Sequence, residues 1–334
     1  MNISKKAIML FLVALTSVVS MSQPYYHIMK EENGKLTEQT GYNSKDYKLK
    51  IDMVKSENRP EDAIGGRITI ESDYDCTQSS LKRSFYFTKN GNVYYNDSEK
   101  KFYFEKSQLD YPSGPYSTDH CGHFRWDTEI KGCIGTGKPS VLHSIKKETG
   151  FYFANPENLS KLQEDLGNEK WAVLSACEWS YVCENLGECG WTVDGDTCFL
   201  IDTTPNKSLL RAIESKNGGK TMSKADFESY EDKGLVCLPA SGYRSDNYYD
   251  SSSNKILATV DPYFIGLGSL GYYWSCTPFL TSVRIGEFNF TSLYRSYSMN
   301  FDLYKAGIYR NISPLYGDYR YYAYAVRLVI LADD

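Results

Sequence analysis

Apolar and polar residues alternate with period two in several short runs of this chain. Lys48-Leu49-Lys50-Ile51-Asp52-Met53 and Arg67-Ile68-Thr69-Ile70-Glu71 predict half-buried strands. Phe85-Tyr86-Phe87-Thr88 and Val93-Tyr94-Tyr95 flank Asn90-Gly91, a pattern that predicts a hairpin. Lys101-Phe102-Tyr103-Phe104-Glu105 predicts another strand, and the Gly-, Pro- and Ser-rich stretch 106–150 predicts long loops. The period then changes. Ser175 and Glu178 have capping-box spacing ahead of Trp179, Tyr181, Val182 and Leu186. Ser223 and Asp226 repeat the device ahead of Phe227 and Tyr230. A third helix is expected after Asn155-Pro156, carrying Leu159, Leu162 and Leu166. Trp191 to Thr197 reads as a hairpin, and Leu235 to Pro239 as an apolar strand. In Ser298-Met299-Asn300-Phe301-Asp302-Leu303-Tyr304, the residues Met299, Phe301 and Leu303 share the expected inner face. Ser298, Asn300, Asp302 and Tyr304 share the outer one. Ala325 to Leu331 predicts a buried final strand. Few helices among many short strands indicate an α+β fold.

The first 22 residues change the domain picture. Lys5-Lys6 precede the apolar run Ala7 to Leu15, with small residues at Ser20 and Ser22. This is the layout of a secretory signal, with cleavage expected near Ser22–Gln23. The apolar run is too short for a membrane span. An exported chain is expected, in the periplasm, at the cell surface or outside the cell. Loss of the two lysines takes the formal charge from -5 to about -7. No basic cluster favours nucleic acid or anionic lipid. Of nine cysteines, an odd number, at least one is left over within the chain. Cys189 and Cys198 are the nearest pair across an expected turn, and thus the leading disulfide candidates in an oxidising compartment. Cys237 and Cys276 sit in apolar contexts that suit small buried side chains.

Tyrosine is concentrated at the C-terminal end: residues 243–334 hold 15 of the 29. They are interleaved with Ser, Asn, Asp and Arg. Such a mixture gives large contact area at low entropy cost, with adaptable hydrogen bonds, as antibody-type surfaces do. The alternative is ordinary sheet tyrosine. The expected contact residues are Tyr294, Arg295, Tyr297, Asn300, Asp302, Tyr304, Tyr309, Tyr316, Asp318, Tyr319, Arg320 and Tyr321.

Five segments, in order, resemble a known pattern. They are Gly122-His123-Phe124-Arg125-Trp126-Asp127-Thr128; Trp171-Ala172-Val173-Leu174-Ser175 with Glu178-Trp179; Gly234 through Leu238-Pro239-Ala240-Ser241-Gly242-Tyr243-Arg244; Gly271-Tyr272-Tyr273-Trp274-Ser275-Cys276-Thr277; and Ala325-Val326-Arg327-Leu328-Val329. The chain thereby resembles the C-type-lectin-like proteins of gut Bacteroidetes that carry the Fibrobacter succinogenes major paralogous domain. It is also similar to the targets of diversity-generating retroelements. Asp127 stands where that pattern has glycine. The resemblance covers roughly residues 82–334 and implies a C-type-lectin-like domain, related in fold to the formylglycine-generating enzymes. Residues 23–81 would form a separate small β-rich segment. The resemblance also implies a ligand-binding, hypervariable segment at about 288–324, bracketed by scaffold residues Trp274 and Arg327.

Catalytic signals are weak. No Arg-Gly-Gly-Ser-Trp segment accompanies a cysteine pair, as the related enzymes require. The calcium-binding tripeptides of animal C-type lectins are also missing from the sequence. His120, Cys121, His123 and Cys133 lack standard zinc spacing. Gly132 to Lys138 imitates a phosphate loop, but Pro139 stands in place of Ser or Thr. Glu164-Asp165 is expected on a solvated helix face. No catalytic residue, metal or cofactor is therefore expected. The leading expectation is a non-enzymatic exported protein that binds an unknown protein or glycan. The alternatives are an adhesive or structural, fimbria-like component of a surface assembly joined through residues 23–81, and a divergent enzyme on the same scaffold.

Overall fold

The structure is a computed structural model. It describes residues 26–32, 35–42, 47–52, 60–72, 82–96, 98–111, 120–125, 156–250, 255–285, 288–304, 306–308, 318–319 and 323–333. The chain divides into two compact units, Met1–Asp46 and Tyr47–Asp334. In the first, β1 (Tyr26–Glu32) and β2 (Lys35–Tyr42) form an antiparallel pair.

The second unit is an α+β assembly of open sheets with few helices. Its five-stranded sheet has the order β10 (Trp171–Val173), β22 (Leu328–Leu331), β5 (Lys82–Thr88), β4 (Ala63–Ser72), β3 (Tyr47–Asp52). The C-terminal strand is thus interior, as its unbroken apolar run requires. The two alternating runs at 48–53 and 67–71 are neighbours here, Leu49 facing Ile70 and Ile51 facing Ile68. The expected boundary at 81/82 falls inside this sheet, because β4 pairs with β5.

Asn90-Gly91 does not make the expected hairpin. β6 (Val93–Asn96) leaves the five-stranded sheet and pairs with β7 (Lys101–Phe104) and β8 (His120–Cys121). Gly91 serves a different need. A Cβ there would lie 2.2 Å from Arg327 Cζ, so the residue is small to admit the guanidinium. The same dipeptide logic succeeds at Asp194-Gly195. Both residues have positive φ, 49° and 93°, and they join β11 (Gly187–Val193) to β12 (Asp196–Asp202) in a two-residue turn.

The four-stranded sheet runs β13 (Thr221–Met222), β11, β12, β14 (Leu235–Pro239). The cap signals are obeyed. α1 (Pro156–Asp165) and α2 (Ala176–Asn185) sit where the periodicity puts them, and Ser175 with Glu178 forms a complete capping box on α2. Arg83 Nη1 also meets Glu178 Oε2 at 2.9 Å, tying this helix start to β5. Changing Ser175 to Ala removes the acceptor for the Glu178 amide. Urea denaturation is expected to show a loss of about 1 kcal/mol. Glu164-Asp165 is not simply solvated: Asp165 Oδ2 accepts the Phe102 amide at 3.0 Å and Asp165 pairs with Lys161.

A helix with no local start signal, α3 (Ser208–Asn217), precedes α4 (Lys224–Glu231). Its N-terminus has no local side-chain cap, since Lys207 is left-handed. Asp202 on β12 supplies the acceptor instead, taking the amides of Thr204 at 2.8 Å and Leu210 at 3.0 Å.

The largest described sheet contains β9 (Phe124–Arg125), β15 (Ser241–Asp250), β16 (Lys255–Leu267), β17 (Gly271–Ile285), β18 (Phe288–Phe301), β19 (Ala306–Ile308), β20 (Asp318–Tyr319) and β21 (Ala323–Tyr324). Trp274 and Tyr273 on β17 bond to four distant segments. Trp274 Nε1 donates to Phe124 O at 2.6 Å, and its amide to Ala325 O at 3.0 Å. Its carbonyl accepts Trp179 Nε1 at 3.3 Å, and Tyr273 Oη donates to Pro239 O at 2.8 Å. Trp274 and Arg327 are both fully buried, in keeping with their expected scaffold roles.

Candidate ligand-contact surface

The C-terminal end of β18 is packed on both faces. Met299 and Phe301 are buried; the Phe301 ring lies 5.6 Å from Phe199 and 6.4 Å from Tyr273. On the other face, Trp274 lies directly across from Ser298 and stacks on Tyr324 at 4.2 Å. The indole covers Ser298, so this residue is buried rather than presented, contrary to the alternation. Its hydroxyl lies 2.8 Å from Asn300 Oδ1, and Asn300 is half-buried.

The strand stops at Phe301, and so does its alternation. Asp302 Oδ1 accepts the Tyr304 amide at 2.7 Å, which closes a bend of the Asx type. Leu303, expected inside, therefore turns outward and is 38% exposed. Tyr304 is 85% exposed. It is the most exposed large hydrophobic side chain among the described residues, held on a short backbone-bonded bend.

That bend rests on β11. The strand has a register irregularity between Glu188 and Trp191, and Gly190 within it has φ 86°. A Cβ on Gly190 would lie 3.1 Å from the Leu303 carbonyl oxygen and 3.6 Å from Lys220 Cδ. Lys220 pairs with Glu188, and both are partly exposed. Cys189 is half-buried beside them. Burial raises its thiol above the ordinary value, Asp302 pushes the same way, and the Lys220 ammonium works against both. That Lys220 and Glu188 lie near the bend carrying Tyr304 is not legible in the sequence. Their proximity comes from a bulge and from the parallel pairing of β13 with β11, which brings Thr221 opposite Thr192.

The structure gathers part of the expected contact set. Tyr294, Arg295, Tyr297 and Asn300 lie on β18; β20 pairs with it so that Tyr319 opposes Arg295 and Asp318 opposes Ser296. Asp302 and Tyr304 follow on the bend. Tyr309, Tyr316, Arg320 and Tyr321 lie outside the described residues. Tyr297 differs from expectation: at 8% exposure it packs rather than presents. Tyr243, Tyr272 and Tyr324 form a ring cluster, with centroids 4.9 Å apart for Tyr243–Tyr272 and for Tyr272–Tyr324. These C-terminal tyrosines build scaffold.

The other candidate chemistry is structural where it can be seen. His123 is buried and its Nε2 donates to Ser241 O at 3.0 Å. Cys133 and the Gly132 to Lys138 loop lie outside the described residues. Among the described residues no group of three or more His, Cys, Asp or Glu is placed to hold a metal ion. Cys189 and Cys198 are free thiols, not the expected disulfide. Cys189 lies within the β11 irregularity while Cys198 pairs with Trp191 at its end, and the buried Cys198 thiol instead faces Trp191 O at 3.6 Å. No described helix is long and apolar enough to cross a membrane. No protein-family model matches the chain, and neither a curated protein nor a solved structure gives a significant match.

Proposed function

We propose that this chain is an exported, non-enzymatic binding protein. Its C-type-lectin-like scaffold carries a tyrosine-rich contact surface over about 288–324, and a protein or glycan ligand seats there. The observation that carries this reading is Tyr304, 85% exposed and fixed by the Asp302 carboxylate. A tyrosine has few side-chain torsions, and on a backbone bend held by a hydrogen bond it loses little freedom on binding, so more of its contact energy appears as affinity. Asn300 and Asp302 add hydrogen-bonding groups beside it. Glu188 on β11 and Lys220 just ahead of β13 form a charged pair near the bend and extend the surface as a margin.

An array of immobilised glycans and cell-surface proteins, probed with the mature chain 23–334, tests the reading. Saturable binding to a restricted set of members at physiological salt is the expected result. Binding to none, or a weak response that vanishes uniformly as salt rises, would contradict it.

A second reading is attachment to a surface assembly through residues 23–81. It is favoured by the separate compact unit that holds β1 and β2. Deleting residues 23–46 would then release the chain from cells while leaving array binding intact.

A further inference from the structure

Arg327 is fully buried, yet it has no ion-pair partner among the described residues. One of its terminal nitrogens is used: Nη2 donates to Thr88 O and to Gln108 Oε1, the latter at 3.0 Å. Nε and Nη1 have no hydrogen-bond partner. Asn92 is directly opposite Arg327 in an antiparallel bridge, which puts both side chains on one face, with Cβ atoms about 5 Å apart. Asn92 is also buried, and both its Nδ2 and its Oδ1 lack partners. Four orphaned polar atoms thus fall on two facing residues. Buried groups of this kind are rare and call for a bound species.

The charge decides which species. Desolvation lowers the Arg327 pKa to about 10, so the group is still a cation at neutral pH. The neighbouring Tyr273 hydroxyl and Cys237 thiol are pushed up by burial and are neutral there. Glu231 makes no ion pair with Arg327: Gln108 stands between them, its Nε2 donating to Glu231 Oε1 at 2.8 Å, and the carboxylate acts on the guanidinium from a distance. Water could take the free N–H groups but would leave the buried guanidinium without a contacting counter-ion, which is costly.

We infer that Arg327 and Asn92 hold a buried halide ion, of which chloride is the physiological example. It accepts from Arg327 Nε and Nη1 and from Asn92 Nδ2, and one accompanying water donates to Asn92 Oδ1. The site lies at the crossing of the Gly91 segment and the C-terminal strand, within the scaffold. It is independent of the tyrosine surface.

Thermal unfolding of the mature protein at constant ionic strength, with sodium gluconate progressively replaced by sodium chloride or bromide, reads this out. The midpoint is expected to rise by ~3 °C for each tenfold increase in halide above its dissociation constant. Asn92→Asp supplies the anion internally. It should fold without halide and lose the dependence. Crystals soaked in bromide should show an anomalous peak within hydrogen-bond distance of Arg327 Nη1. A midpoint indifferent to halide, a dependence that persists in Asn92→Asp, or only water at that position in the bromide crystals would each overturn the assignment.

Discussion

Replacing Trp274 with Ala is expected to remove about 4 kcal/mol of stability, the usual loss when a buried indole is truncated to a methyl group. The cost has three sources. The indole fills the core shared by β17 and the five-stranded sheet, with Tyr324 stacked on it at 4.2 Å. Its Nε1 donates to Phe124 O, and that buried hydrogen bond would be lost. It also covers Ser298 on the opposite strand, so water would enter the base of β18. Thermal unfolding followed by near-ultraviolet circular dichroism should show a midpoint lower by roughly 10 °C. A fall of only one or two degrees would mean that the segments around this residue are held together by something else. Trp274→Phe should recover part of the loss, since it keeps ring packing but not the hydrogen bond.

Tyr304→Ala is expected to do the reverse. The ring is 85% exposed and its only described backbone anchor, the amide to Asp302 Oδ1, survives truncation. Stability should change by no more than about 0.5 kcal/mol, as for surface substitutions generally. Affinity should fall about 30-fold, or ~2 kcal/mol, the scale of an aromatic hot spot. Tyr304→Phe should lie between the two, because it keeps the contact area and loses the hydroxyl. Asp302→Ala should weaken binding less, by loosening the bend and not by deleting the contact.

The two predictions separate what the sequence shows from what only folding shows. Devices within a few residues were legible. Ser175 with Glu178, Ser223 with Asp226, and Asp194-Gly195 each carry their own geometry, and each is where it was expected. Devices completed from a distance were not. Asn90-Gly91 has the residues of a hairpin turn, but Arg327 from the far end of the chain occupies the space above Gly91. The start of α3 is capped by Asp202 from the preceding strand, so no local signal announces it. The contact surface shows the same division. The tyrosine concentration and the alternation of Met299, Asn300 and Phe301 were readable. The strand's end was not, because Asp302 captures the Tyr304 amide and turns Leu303 outward. Nor was the burial of Tyr297, which depends on the packing around β18.

The central claim is that a pre-organised tyrosine surface, independent of the core, binds a ligand. Isothermal titration of wild-type protein and Tyr304→Ala with the tightest-binding array member tests it most directly, with the melting temperature of each measured in parallel. About 30-fold weaker binding by the variant is expected, at an unchanged melting temperature. Equal affinity in the two proteins would contradict it and would place the binding surface elsewhere on the chain.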